Sequence, residues 1–305
     1  MNIRNTIIAN NAALNGPDCL SLSTDLNSQD YNLIEDATDC NITGTTTNNI
    51  TGQDPLLSPL ASNGGPSQTH ELLMGSPALE AGDDANCAAT DQRGYPRSQD
   101  GDGNGTATCD IGAFERLPPP KTFRSMGAHD GWVLESTETS GVGGSLNSAA
   151  TTFRLGDEAV DQQYRAILCF DTSFLPDTAV ITKVTLKIKK QGVTGTNPFT
   201  THQFVYIDIR KGSFSNNAAL QLADFKAAAS KNSVGKILNN PVGSLYSSVL
   251  SSMAHSRVNP LGMTQLRLRF KLDDNNDNGA DYMKFYSGNA GASYRPQLIV
   301  EYYTP

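Results

Sequence analysis

The sequence is poor in the residues that usually announce chemistry. It has one tryptophan and four histidines, and no lysine before residue 121. His70, His129, His202 and His255 are scattered, with no metal-ligand spacing between them. There is no GxSxG, HExxH, P-loop or dinucleotide fingerprint, and no motif singles out a carboxylate pair for glycoside hydrolysis. No run approaches the length of apolar chain that spans a bilayer as a helix. The opening, MNIRNTIIANNAALNGPDCL, has neither the basic start nor the apolar stretch of a signal peptide. The net charge of −8 excludes nucleic-acid binding driven by bulk charge. What remains is 305 residues, 38% hydrophobic and 18% charged, with Gly 27 and Pro 15: a turn-rich globular composition, not a coiled coil, a collagen or a disordered tail.

The length suggests two domains, and the charge says where they meet. Residues 1–116 hold four arginines, no lysine and 16 carboxylates, a net −12. Residues 117–305 hold 19 basic and 15 acidic side chains, a net +4. Between them Leu117-Pro118-Pro119-Pro120 reads as a short, stiff, extended linker over 117–120. Four of the five cysteines, Cys19, Cys40, Cys87 and Cys109, lie in the acidic half. They suggest disulfides and an oxidising compartment, secreted or at the cell surface. Three pairings are open. Cys19–Cys40 with Cys87–Cys109 is favoured because each closes a turn-rich loop of about 20 residues. A four-thiolate zinc site is the rival, disfavoured by the lack of a CxxC pair. Cys169, in an apolar run, reads as a small buried hydrophobe.

In the first domain, short β-branched runs at 3–11 and 30–34 are punctuated by Asn, as the rungs of a β-solenoid are. So few rungs cannot bury their faces alone, which leads to the expectation of further rungs ahead of residue 1. The stretch DPLLSPLASNGGPSQTHELLMGSPALE at 54–80, then Asp91-Gln92-Arg93-Gly94, then CDIGAFE at 109–115, resembles a choice-of-anchor Q domain over nearly all of 1–116. That resemblance implies the C-terminal end and cap of a right-handed parallel β-helix in a bacterial surface or secreted protein. Members of that family typically continue into an anchor, whereas this chain continues into a second domain. Leu56, Leu57, Leu60, Leu72, Leu73, Ala78 and Leu79 are the apolar residues expected to cover the end of the helix, with Arg93 locking a loop and His70 structural.

The second domain alternates apolar and polar residues with period two. VITKVTLKIK at 180–189, QLRLRFK at 265–271 and QLIVEYY at 297–303 read as antiparallel strands with one wet face. Only 217–231 reads as helical or as a helical loop. The sum predicts an all-β chain: the β-helix end, then an antiparallel jelly-roll β-sandwich over 121–305. Tyr164 to Asp171, Leu175-Pro176 and the strand at 180–188, with Ala128 to Val133 and Tyr294 to Val300 at the ends, resemble a DNRLRE-type sandwich, a group similar to carbohydrate-binding module family 96. That resemblance implies a fold and a ligand class. It carries over no sugar-contacting residue.

Sugar sites need exposed aromatic rings beside polar groups. Trp132, Tyr286 and Tyr294 are the carbohydrate candidates, Phe285 being assigned to the core by alternation. Lys187, Lys189 and Lys190 read as a solvated basic face, with anionic polysaccharide the sharper alternative. Two acidic loops are calcium candidates. In the first, Asp100, Asp102 and Asn104 recur every second residue between glycines, as in the opening of an EF-hand loop, with Asp110 standing in for the missing Glu. In the second, Asp273, Asp277 and Asp281 crowd nine residues, where Asp, Asn and Gly also make ordinary turns. The reading that follows is a non-catalytic extracellular module binding carbohydrate or matrix. The alternatives are a structural or adhesive subunit that binds itself or another protein, and the C-terminal part of a β-helix polysaccharide lyase or hydrolase whose active site lies upstream.

Overall fold

A computed structural model describes residues 1–305. The protein is all-β with almost no helix. It divides into two compact units, residues 1–119 with 303–305, and residues 120–302.

The first unit is built from very short strands. Two parallel sheets of three strands each run side by side along the chain. One is β1 (Asn2–Ile3), β3 (Leu26–Gln29) and β5 (Ile42–Thr45); the other is β2 (Ile7–Ile8), β4 (Leu33–Ile34) and β6 (Ile50–Thr51). The run at 3–11 is therefore not one strand. Asn5, at φ 47°, breaks it into two, in the left-handed region that Asn tolerates. Strands of two residues make few ladder bonds, so asparagines carry the corners. Thr6 N–H donates to Asn32 Oδ1 (3.2 Å), Asn32 N–H to Asn49 Oδ1 (3.0 Å), and Asn49 Nδ2 to Ser28 Oγ (2.9 Å). Ser28 and Asn32 are buried, so these amides satisfy groups that water cannot reach.

β2 and β4 of the second sheet each face two cores. Ile34 joins Ile3 and Leu26 between the two sheets, while Leu33 joins Leu72, Ala78, Ile111 and Phe114 on the other side. Residues 54–116 thus cover the outer face of β2–β4–β6. Of the seven apolar residues expected to cap an end, Leu72 and Ala78 are fully buried on that face, Leu57 packs against it half-buried, Leu79 is half-buried, and Leu56, Leu60 and Leu73 are exposed. The difference is physical: the aliphatic column Ile7, Leu33 and Ile50 points outward from the sheet and needs a cover more than the end does.

Two arginines fasten that cover. Arg93 Nε donates to Asp91 Oδ2 (2.8 Å), its Nη2 to Glu115 O, and its guanidinium lies 3.6 Å from the Phe114 ring centre. Arg97 donates to Asp110 O (2.8 Å) and Gly112 O (2.7 Å) and pairs with Glu115 at 3.3 Å. Gly112, at φ 104°, is required: a Cβ there would meet Ile7 Cδ1 at 2.8 Å. Disulfides join Cys19 to Cys40 and Cys87 to Cys109, and Cys169 is free and buried.

The second unit is one curled antiparallel sheet of twelve strands. They are β7 (Lys121–Arg124), β8 (Gly131–Glu135), β9 (Gly143–Asn147), β10 (Thr152–Asp157), β11 (Gln163–Asp171), β12 (Val180–Thr194), β13 (Val205–Lys211), β14 (Lys231–Ile237), β15 (Leu245–Val249), β16 (Met263–Phe270), β17 (Tyr282–Tyr286) and β18 (Gln297–Tyr303). The main path runs β14-β13-β16-β11-β10-β17-β12-β18-β7. β12 lets the sheet curl. Its first half pairs with β15 and its second half with β17, across a bulge between Lys190 and Gly192. One face closes on a core that includes Phe153, Leu168, Phe170, Val184, Leu186, Ile188, Phe270, Met283 and Phe285.

The outer face is drier than alternation predicts. Arg267 is buried and pairs with Asp208 at 3.0 Å. The cover is the segment read from sequence as helical, 217–231. It forms no α-helix, only a 3-10 turn at Leu222–Phe225. Its carbonyls are spent elsewhere: Arg267 Nη1 donates to Asp224 O (3.1 Å) and Ala227 O (2.7 Å), and Arg165 Nη1 donates to Phe225 O (2.7 Å). Phe214, Leu220 and Phe225 pack with Val133 and Ile167 beneath it. Tertiary hydrogen bonds to guanidinium groups outweigh the helix propensity of an Ala-rich stretch.

Candidate functional site

Alternation along β17 sends Met283 and Phe285 to the core and turns Tyr282, Lys284 and Tyr286 outward. The chain then loops through 287–296 before β18. Tyr294 N–H donates to Gly291 O (2.8 Å), Arg295 Nε to Ala290 O (2.9 Å) and Arg124 Nε to Ala292 O (3.1 Å), which fixes the loop. So held, Tyr294 lays its ring on Tyr286 with centroids 4.7 Å apart and planes 25° from parallel. Tyr294 keeps 40% of its surface in solvent. Lys189 Nζ, from β12, lies 4.3 Å from the Tyr294 ring centre. Two of the three aromatic candidates thus form one aromatic and cationic cluster, with Tyr294 exposed and Tyr286 and Lys189 half-buried.

Trp132 belongs to a different cluster. It is half-buried on β8, edge-on to Tyr164 at 5.1 Å. Arg154 lies over Trp132, Tyr164 and Tyr282 at 5.2, 5.4 and 4.8 Å, and donates to the Tyr164 hydroxyl at 2.7 Å. That hydroxyl in turn donates to Glu158. The ring faces of this cluster are already taken by the guanidinium.

In the first acidic loop, Asp100 and Asp102 meet a carboxylate that the sequence reading missed. Oxygens of Glu80, Asp100 and Asp102 lie within 4.8 Å of one another. Asp102 N–H donates to Glu80 Oε1 (3.1 Å), and Asn104 Nδ2 bridges Glu80 Oε2 (3.3 Å) and Asp102 Oδ2 (2.9 Å). Asp100 Oδ2 accepts from Gly105 N–H (3.1 Å), but Asp100 Oδ1 is buried with no partner. Burial raises the Glu80 pKa above the usual carboxylate range, and the Asp102 and Asp100 charges add to the rise. Asp110 does not reach in as a ligand. It is buried and accepts from Glu80 N–H (2.7 Å) and Arg116 N–H (2.6 Å), so it positions Glu80 instead; burial pushes its pKa up to about 6. No spacing pattern links Glu80 to a loop twenty residues on, so only the fold could reveal it.

The second acidic loop uses its carboxylates on itself. Asp281, buried, accepts from Thr196 N–H (2.5 Å) and Asn275 Nδ2 (3.1 Å). Asp277 accepts from Gly279 N–H (2.6 Å) and Asn275 Nδ2 (2.8 Å). Asp273, Asp277 and Asp281 do not form a group of close ligand atoms.

Two of the four histidines have close polar neighbours. His70 Nδ1 sits 2.7 Å from Ser58 O, and Nε2 of the fully buried His202 lies 3.2 Å from Oδ2 of the equally buried Asp157. Burial pushes the Cys169 thiol up to about 12, which keeps it protonated and unreactive.

A scan against models of known families matched none to this chain, and a search of curated proteins likewise found no match.

Proposed function

We propose that this protein is a non-catalytic extracellular or cell-surface module, a β-helix end followed by a sandwich that binds carbohydrate or matrix polysaccharide. The observation that carries the reading is the stack of exposed Tyr294 on half-buried Tyr286 with Lys189 beside it. Tyrosine rings offer an apolar face to sugar C–H groups and a hydroxyl to sugar oxygens. The lysine is a flexible donor that can exchange a ring for a sugar hydroxyl or acid group. The loop is held by three backbone acceptors, so little ordering entropy is lost on binding.

The first unit supports the compartment in this reading. Two disulfides are compatible with an oxidising, extracellular setting, and no helix is long and apolar enough to cross a membrane. The parallel stacking of β1–β3–β5 and β2–β4–β6 supports the β-helix end implied by the choice-of-anchor Q resemblance. The reading also includes one calcium ion at Glu80, Asp100 and Asp102. Three hard oxygen donors suit calcium, and a buried carboxylate oxygen without a partner is otherwise costly.

The test is isothermal titration of the full chain against neutral and acidic polysaccharides. Saturable binding that falls about three- to tenfold in Tyr294→Ala is the expected result. Absence of binding across the panel would remove the carbohydrate reading and leave the structural, adhesive one.

A further inference from the structure

An asparagine followed by glycine carries the means of its own modification. The glycine amide nitrogen is a nucleophile within reach of the asparagine Cγ, and no glycine side chain stands in the way. The chain has four such pairs, Asn15-Gly16, Asn63-Gly64, Asn104-Gly105 and Asn278-Gly279. For attack the side-chain amide must swing onto the backbone while the glycine nitrogen is unengaged. A hydrogen bond to either group must first be broken.

Three of the pairs are held. Asn63 Nδ2 donates to Thr69 O (2.8 Å). Asn104 Nδ2 donates to Asp102 Oδ2 (2.9 Å), its Oδ1 accepts from Thr106 N–H (2.7 Å), and Gly105 N–H donates to Asp100 Oδ2 (3.1 Å). Gly279 N–H donates to Asp277 Oδ1 (2.6 Å) and Asn278 N–H to Asp161 Oδ1 (3.1 Å).

Asn15-Gly16 differs. Asn11 N–H and Nδ2 both donate to Asp18 Oδ1 (3.1 and 2.9 Å), which closes the neck of a loop, and residues 12–17 inside it make no hydrogen bond. Leu14 and Asn15 are exposed at its tip. Pro17 has no N–H to offer. Gly16, at φ 52°, is required by the turn, because a Cβ there would meet Cys19 O at 2.5 Å. The loop is tied to the segment between β4 and β5: Asp36 N–H donates to Asp18 Oδ2 (2.9 Å), and Cys19 is bridged to Cys40.

We infer that Asn15 is a self-modification site, converted to aspartate and isoaspartate in the folded chain while the other three pairs persist. Gly16 N gives its proton to solvent and bonds to Asn15 Cγ. The Cγ–Nδ2 bond breaks, and the nitrogen leaves as ammonia. Water then opens the five-membered imide. Cleavage between Gly16 N and Cγ gives aspartate; cleavage between Gly16 N and the Asn15 backbone carbonyl carbon gives isoaspartate, whose backbone runs through Cγ. The balance is one water taken up and one ammonia lost, with no oxidant or cofactor. Either product adds a carboxylate near Asp18, in a segment whose net charge over residues 1–116 is already −12.

The test is timed incubation of the full, disulfide-intact chain in mildly alkaline buffer, followed by peptide mapping with mass spectrometry. The peptide holding Asn15 should gain one mass unit and split into two chromatographic products. It should do so about tenfold faster or more than the other three pairs, which must first break one or two hydrogen bonds. In the reduced, denatured chain the four rates should converge, because those bonds are gone. Asn15→Gln should remove the fast event at unchanged melting temperature, since the side chain is exposed and unbonded. Conversion of any other pair as fast as Asn15 in the folded chain, or a ranking that survives denaturation, would overturn the inference.

Discussion

The two units hold themselves together by different means. The second relies on apolar area: one cluster of buried residues runs through its curled sheet, and its longest strand has 15 residues. The first has no strand longer than four residues, and its apolar residues split into two small clusters. It compensates with asparagine corners, two guanidinium locks and two disulfides. A small parallel stack cannot bury enough surface per residue, so polar and covalent links take the place of core. The same contrast separates the sites: an aromatic pair on a strand and the loop after it in one unit, carboxylates on loops in the other.

The comparison can be broken from either side. The largest single loss expected is in the second unit. Arg267→Ala removes the buried partner of Asp208, leaving it only the more exposed Arg269 at 3.5 Å, and the donor that gathers the 224–227 carbonyls. Breaking that buried pair should cost up to about 3–5 kcal/mol, read by denaturant unfolding as an earlier transition of that unit alone. Next in size is reduction. Opening Cys19–Cys40 and Cys87–Cys109 should cost about 2–4 kcal/mol each in the first unit and nothing in the second, whose only cysteine is free. Calorimetry with and without reductant should therefore move one transition and leave the other.

Acidity gives a smaller, signed effect. Burial raises Glu115 to about 7 and Asp110 to about 6 in the first unit, against Asp130 at about 7 in the second. A folded carboxyl with a raised pKa binds protons that the unfolded chain has released, so stability falls as pH rises from the unfolded pKa to the folded one. Between about pH 5 and pH 7.5 both units should lose stability, the first by roughly 1–2 kcal/mol and more than the second. Glu115→Gln should flatten the slope of the first unit's transition. Smallest is calcium. Saturating calcium should raise only the first unit's melting temperature, by mass action, and chelator should reverse it. Glu80→Gln should abolish the response while an Asp277→Asn change in the second loop leaves it intact.

Much of the fold is legible where local chemistry decides it. Alternation in 180–189 marks Val184, Leu186 and Ile188 as core, and the confinement of four cysteines to one turn-rich stretch points to the pairs that form. Legibility ends where distant residues meet. Arg267 reads as a wet strand position until the 217–231 segment folds over it, and that segment reads as helical until its carbonyls turn to Arg267 and Arg165. Of the candidate sites, Tyr286 and Tyr294 come together because a strand and a fixed loop bring them there. Trp132 does not join them, because Arg154 occupies its cluster. Glu80 gives no signal at all, since its role depends on a loop contact across twenty residues.

The central claim is that the Tyr286–Tyr294 surface binds carbohydrate. A glycan array probed with the full chain, followed by titration of the best glycan against the Tyr294→Ala and Tyr286→Ala/Tyr294→Ala variants, tests it most directly. The expected result is saturable binding that weakens about three- to tenfold with the first variant and vanishes with the second, at unchanged melting temperature. Glycan binding that survives loss of both rings, or an array with no bound glycan, would contradict it.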